Sequence, residues 1–196
     1  MVPAFSLFSA RIELRHATAA VHERLHHVPA FAALAEGRLD RDGYASLLGR
    51  LYGFHDPFEA AIEQAAPPGL PPTKWRRTHL LRSDMVALGQ SEAAIRRLSR
   101  HPVHGSQWSP ARAMGVLYVI EGSTLGGRLL ARQLDHLVPT DNEAGRSFLL
   151  AGTGTGHVRW RDFCTALDAC GAEPAPRAEM VAGAIDTFRS FEAWFV

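Results

Sequence analysis

The stretch from Ser109-Pro110 to Val138 constrains this chain most, because it opens as a helix and then carries Gly122, Gly126 and Gly127 in its interior. The Ser-Pro pair is a strong helix start: serine accepts amide N–H groups of the first turn, and proline takes the first helical position, where its missing donor costs nothing. The apolar periodicity that follows predicts one long helix to about Val138. Each glycine inside a helix costs about 0.8 to 1 kcal/mol relative to alanine, so this trio forgoes about 2 to 3 kcal/mol. Something must use the missing side chains. Gly122 and Gly126 are four apart and share a face, which leaves two readings open. Another helix packs closely on a small-residue stripe, or the backbone lies against a planar ligand, with Ser123 and Thr124 the nearest hydroxyls.

The rest of the chain also reads as helices. Ser9 is placed to cap a first helix to about His27, with Leu14, Thr18, Val21 and Leu25 facing a core. Pro29 ends it, a short segment reaches Glu36, and Gly37 is a stop. Asp40 or Asp42 then caps a long helix through Tyr44, Leu47, Leu48, Leu51 and Phe54, which Pro57 should kink before it resumes to about Ala65. Pro67 to Pro72 is a loop. Further helices are expected over 73–88, 91–100, 157–170 and 177–195, and Phe148-Leu-Leu150 is too short to assign. No stretch sustains the period of two that a strand requires, so the expected class is all-α. With 196 residues and 46% hydrophobic content, one domain spanning 1–196 can bury an adequate core.

Composition excludes several partners. Twenty-one basic and 20 acidic residues nearly cancel, which argues against nucleic acid. The apolar run Val116 to Ile120 falls far short of the roughly 18 residues a membrane span needs, and Met1 to Ala10 lacks the basic start of a signal peptide. Cys164 and Cys170 lie on roughly opposite faces of one helix, so no disulfide is expected and a reducing, cytoplasmic location follows.

Two stretches carry candidate chemistry besides the glycines. His22 borders the buried stripe of the first helix, in line with Thr18 and Arg15. A neutral imidazole there could coordinate a metal, or it could simply bond a carbonyl. The same stretch spells His22-Glu23-Arg-Leu-His26, the H-E-x-x-H pattern of zinc hydrolases. That chemistry needs a third ligand, and Pro29 and Ala32 stand where the longer form of the motif has glycine and histidine. Gly152 to Gly156 precedes a helix but lacks the G-x-G-x-x-G spacing and any βαβ context, so it reads as a connection and not as a phosphate cradle. Trp160, Phe163, Phe188, Phe191, Trp194 and Phe195 read as core aromatics, one or two of which could line a pocket wall.

Taken together, Leu14-Arg-His-Ala-Thr-Ala-Ala-Val-His22 and, a hundred residues later, Gly122-Ser-Thr-Leu-Gly126-Gly127 resemble the proximal and distal helices of haem oxygenases. The similarity is greatest to the soluble bacterial branch that makes biliverdin for phytochromes. It covers most of the chain, since Thr187-Phe-Arg-Ser-Phe191-Glu-Ala-Trp-Phe also resembles the family's last pocket helix. The resemblance implies a single-domain helical bundle in which haem is both substrate and cofactor. His22 would be the iron ligand, and Arg15, Thr18, Tyr118, Gly122, Ser123, Gly126, Gly127 and Phe191 would line the pocket. Catalysis would centre on Gly122, Ser123 and Gly126. Arg15 would meet a propionate, with Arg159 and Arg161 as weaker candidates. Implied too are O2, an external ferredoxin- or flavoprotein-type reductase, the products biliverdin, carbon monoxide and ferrous iron, and a bacteriophytochrome as bilin acceptor. Two departures stand out: Ser123 where many members carry aspartate, and His26 where a glutamate often orients the ligand. The first makes a haem carrier or sensor without turnover an alternative, and the His22-Glu23-x-x-His26 zinc hydrolase is a second.

Overall fold

The structure, a computed structural model, describes residues 9–71, 75–103, 108–151 and 156–196, with side chains omitted for 156–159. Its helices are α1 (Ala10–Leu25), α2 (Pro29–Ala35), α3 (Arg41–Ala65), α4 (Thr78–Ala87), α5 (Glu92–Arg96), α6 (Pro110–Gly122), α7 (Gly127–Arg132), α8 (Ser147–Leu150), α9 (Gly156–Cys170) and α10 (Pro174–Phe195). Among the described residues there is no strand, as the periodicity requires. None of these helices is long and apolar enough to cross a membrane. The Gly152 to Thr155 part of the glycine-rich connection lies outside the described residues.

Local signals place most of the helix starts. The side chains of Asp40, Ser91 and Ser109 accept from Gly43, Ala94 and Arg112 backbone N–H groups, capping α3, α5 and α6. Gly37 takes a left-handed φ of +66° after α2. Ser9 stands at the N-cap of α1 but its side chain makes no cap bond; the hydroxyl donates to Asp168 of α9 instead.

Two helices carry residues that oppose their continuation. First, α3 continues through Pro57 to Ala65. Proline withholds an N–H from the carbonyl four residues back, here Gly53, and the His101 N–H donates to that carbonyl at 2.9 Å. Gly53 is glycine for a reason: an added Cβ would fall 2.3 Å from the Ser99 carbonyl oxygen. Second, the single helix expected from Pro110 to Val138 breaks. It ends at Gly122, a 3-10 turn covers Ser123–Gly126, and α7 resumes at Gly127 but stops at Arg132. The hydroxyls of Ser123 and Thr124 donate to the Ile120 and Glu121 carbonyls, 2.7 Å each, competing with the backbone ladder where the glycines weaken it. Beyond α7, buried Arg146 donates to the carbonyls of Ala131, Val138 and Pro139, stabilising turns where a helix was expected.

Two apolar clusters form the interior. One gathers Leu47, Leu48, Leu81, Met85 and Leu134 from α3, α4 and the region after α7; the other gathers Leu14, Phe58, Met114, Leu117 and Leu167 from α1, α3, α6 and α9. Phe191 and Trp194 of α10 pack against both. α6 and α10 approach backbone to backbone and antiparallel. A Cβ on Gly115 would lie 1.9 Å from the Met180 carbonyl oxygen, and one on Gly183 2.5 Å from that of Arg112. Gly115→Ala must therefore part these helices. Overpacking of this kind costs about 1 to 3 kcal/mol, and urea denaturation should show a lowered midpoint for the variant.

Candidate functional site

Tyr118 marks where α1, α6 and α9 converge. Burial raises its hydroxyl above the ordinary tyrosine range, while the Thr18 hydroxyl and the Arg15 and Arg11 guanidiniums of α1 pull the other way, and Cys164 of α9 adds to the rise. Trp160 of α9 lies against the Tyr118 ring, with centroids 6.0 Å apart. One helical turn past Tyr118 is Gly122, and one turn past Thr18 is His22. Thr18 itself is buried, and its hydroxyl donates to the Leu14 carbonyl at 2.7 Å. Arg15 is exposed, as is Arg161. The side chain of Arg159 lies outside the described residues.

His22 stands on the exposed edge of α1 between two rings. Its imidazole meets Phe188 edge-on at 5.8 Å and His26 edge-on at 5.1 Å. Desolvation by these neighbours and repulsion from His26 lower its pKa below 6.5, against an opposing pull from Glu23. The imidazole is thus held in the neutral form that can offer a lone pair to a metal. Phe191, expected among the pocket-lining residues, packs on Phe31, Phe54 and Phe195 at 5.5, 4.9 and 4.6 Å. α10 does supply the neighbouring ring, but through Phe188. Arg24 and Glu192 tie the two helices together nearby, with two hydrogen bonds of 2.6 and 2.8 Å.

The glycines divide into two kinds. A Cβ on Gly127 would sit 2.1 Å from the buried Leu149 carbonyl oxygen, so this glycine serves the contact between α7 and α8. Close packing is thus one use of its missing side chain. At Gly122 a Cβ would make only ordinary contact with Trp160, at 3.7 Å, and at Gly126 it would meet no described atom within 4 Å. Packing requires neither. Both stand at the break itself, Gly122 as the last residue of α6 and Gly126 at the N-cap of α7, and no described atom requires the absence of either side chain.

Beneath the break lies a buried polar group that periodicity could not reveal. Arg77 Nη2 is 2.7 Å from both carboxylate oxygens of Glu121, the residue before Gly122, and the side chains are 3% and 8% exposed. Glu59 accepts the backbone N–H groups of Arg77 and Thr78, capping α4. His55 is enclosed beside them; burial, and then the Arg77 charge, push its pKa down to about 3. The signal lay in the sequence only as charged and polar residues at core-facing positions of apolar helices.

No group of three or more His, Cys, Asp or Glu among the described residues is placed to hold a metal ion. Among the described residues, therefore, the zinc-hydrolase reading of His22-Glu23-x-x-His26 finds no third ligand. Surface cavities of about 200 Å3, lined by Gly49, Arg50 and Trp194 among others, and about 180 Å3, lined by Phe58, His101 and Arg112 among others, involve none of the site residues above.

The family model described as Heme oxygenase matches residues 9–196. A protein named Heme oxygenase from Xanthomonas campestris pv. campestris (strain 8004) is 36% identical over 167 residues, covering 81% of this chain and 92% of that one. Among solved structures, heme oxygenase from Leptospira interrogans superposes with a TM-score of 0.77 at 18% identity, covering 96% of this chain and 98% of that one. Heme oxygenase-1 from the cyanobacterium Synechocystis sp. PCC6803, in complex with heme, gives 0.73 at 16% identity, covering 96% and 91%. The NO- and CO-bound enzyme from Neisseria meningitidis gives 0.74 at 21%, covering 96% and 90%.

The division of the glycines is testable in the ligand-free protein. Gly127→Ala should lose about 1 to 3 kcal/mol of stability through overpacking, whereas Gly126→Ala, at a boundary position with open space, should change it by no more than about 0.5 kcal/mol. Calorimetry that ranked them in the opposite order would return Gly126 to packing. The buried imidazole predicts a pH dependence. Folded His55 stays neutral down to about pH 3, while in the unfolded chain it takes a proton near 6.5. The unfolded state therefore binds more protons between those values, so stability is complete above pH 6.5 and falls on acidification, by about 1.4 kcal/mol per pH unit per proton. Urea melts across this range should show a shallower decline for His55→Asn.

Proposed function

Because the chain belongs to the heme oxygenase family, whose reaction is the degradation of haem, we propose that it holds haem between α1 and the break after α6, with His22 as axial ligand. The observation that carries this reading is the open face at Gly126, where no described protein atom lies within 4 Å of the place a side chain would take. A planar ligand needs that space. When bound, haem supplies the iron that activates O2 and the ring that is opened, yielding biliverdin, carbon monoxide and ferrous iron, with electrons from a separate ferredoxin- or flavoprotein-type reductase. A bacteriophytochrome is the proposed acceptor of the bilin.

The residues present fit that group. His22 offers a neutral imidazole at an exposed helix edge, as axial ligation requires. Phe188 and Trp160 provide apolar surface beside His22 and Gly122 respectively. Exposed Arg15 is free to meet a carboxylate edge. Gly122 and Gly126 would keep side-chain bulk off the face where O2 is to bind. Ser123 takes the place of an acid there. Its hydroxyl proton is committed to the Ile120 carbonyl, which leaves lone pairs to accept from water and no charge to lower a proton's cost. A proton would accordingly arrive through water or through a group other than Ser123.

Anaerobic reconstitution with haemin followed by O2 and a reductant tests the reading. The expected result is loss of the Soret band and growth of a bilin absorbance in the wild type. His22→Ala should lose the imidazole signature of the ferric complex and all turnover. A Soret band that persists under reductant and O2 would identify a carrier, and a wild-type spectrum from His22→Ala would remove the ligand assignment.

A further inference from the structure

The second histidine of the His22-Glu23-x-x-His26 pattern has no part in the function described so far. It is exposed, occupies the C-cap position of α1, and stands one turn from His22 with the ring centroids 5.1 Å apart. Histidines at i and i+4 project from one helix face and can grip a single divalent ion from both sides, an arrangement common to many zinc sites. Here the setting favours a cation further. The last carbonyls of α1 present the negative end of the helix dipole, and the Glu23 carboxylate lies close enough to draw positive charge to His22. The neighbouring cation, Arg24, is bound through two nitrogens to Glu192. Both rings are exposed, and the chelate requires one of them to turn about its χ2.

We propose that in the haem-free protein His22 and His26 form a two-point site for a divalent transition-metal ion, with water completing the coordination, and that its occupancy excludes haem by taking the axial nitrogen. A hydrolase would need a third protein ligand; capture of an ion does not. The pairing differs from haem ligation in its demand: the ion needs both imidazoles, and haem needs only His22. Affinity should follow the order in which imidazole sites prefer first-row metals, copper above nickel and nickel above cobalt. The metal site itself stands on the pair alone, and only the exclusion of haem rests on the axial role assigned to His22.

The test uses the full-length, tag-free and haem-free protein, titrated calorimetrically with Ni2+ and, separately, by haemin with and without Ni2+. One ion should bind per chain, and His22→Ala and His26→Ala should each weaken it about tenfold or more, while His16→Ala leaves it unchanged. Ni2+ at ten times its dissociation constant should raise the apparent haem dissociation constant about tenfold in the wild type and have no effect in His26→Ala, which still takes up haem. Circular dichroism checks that these exposed substitutions leave the helices intact. Nickel binding unaltered in His26→Ala, or haem uptake indifferent to nickel in the wild type, would overturn the proposal. If both variants lose nickel but His22→Ala keeps the wild-type haem spectrum, the metal pair stands, and both the axial assignment and the exclusion of haem fall.

Discussion

The close antiparallel contact between α6 and α10 is the constraint on which the site depends. Gly115 and Gly183 let the two backbones approach until the carbonyls of Met180 and Arg112 occupy the space their side chains would fill. Helices normally pack about 8 to 10 Å apart, at a distance set by the side chains between them. Removing those side chains fixes α10 against α6 with little freedom to slide. α10 in turn meets α1 through Phe188 against His22 and through the Arg24–Glu192 pair. The histidine of α1 and the glycines that end α6 are thus positioned by the same intervening helix.

A second constraint holds the break itself. The Arg77–Glu121 pair is buried at the last turn of α6. Burying two charges requires each to be well partnered, since desolvation costs several kcal/mol per ion. Such pairs are weak contributors to stability and strong determinants of placement. This one links α6 to the start of α4, whose first amide groups are held by Glu59. The turn before Gly122 is thereby tied to α3 and α4, while Ser123 and Thr124 draw the next carbonyls out of the α-helical ladder. The helix ends at Gly122 because several interactions agree on that residue.

The glycines show how far a sequence can be read and where it stops. Their cost in a helix was evident, and so was the choice between packing and ligand contact. The choice itself was not, because it depends on which atoms of distant segments face each Cα. Gly127 meets the backbone of Leu149, and Gly126, one residue earlier, meets nothing described. Gly115, which the sequence offers as an unremarked residue in an apolar run, is packed more tightly than either. The ring of α10 that meets His22 is Phe188, while Phe191 turns toward Phe31; the rotation of α10 about its own axis decides this.

By itself the sequence determined the all-helical class, the starts marked by Ser91, Ser109-Pro110 and one of Asp40 and Asp42, the stop at Gly37, and the two motifs around His22 and Gly122. These follow from interactions within a few residues, namely side-chain caps, backbone torsion and the 3.6-residue period. Tertiary structure alone decided that α3 passes through Pro57, where His101 N–H satisfies the carbonyl proline leaves open, and that the helix from Pro110 yields at Gly122. It also decided which glycine is structural and that Arg77 answers Glu121. Each of these joins groups far apart in the chain, and a partner's identity is not written in the local pattern of either one.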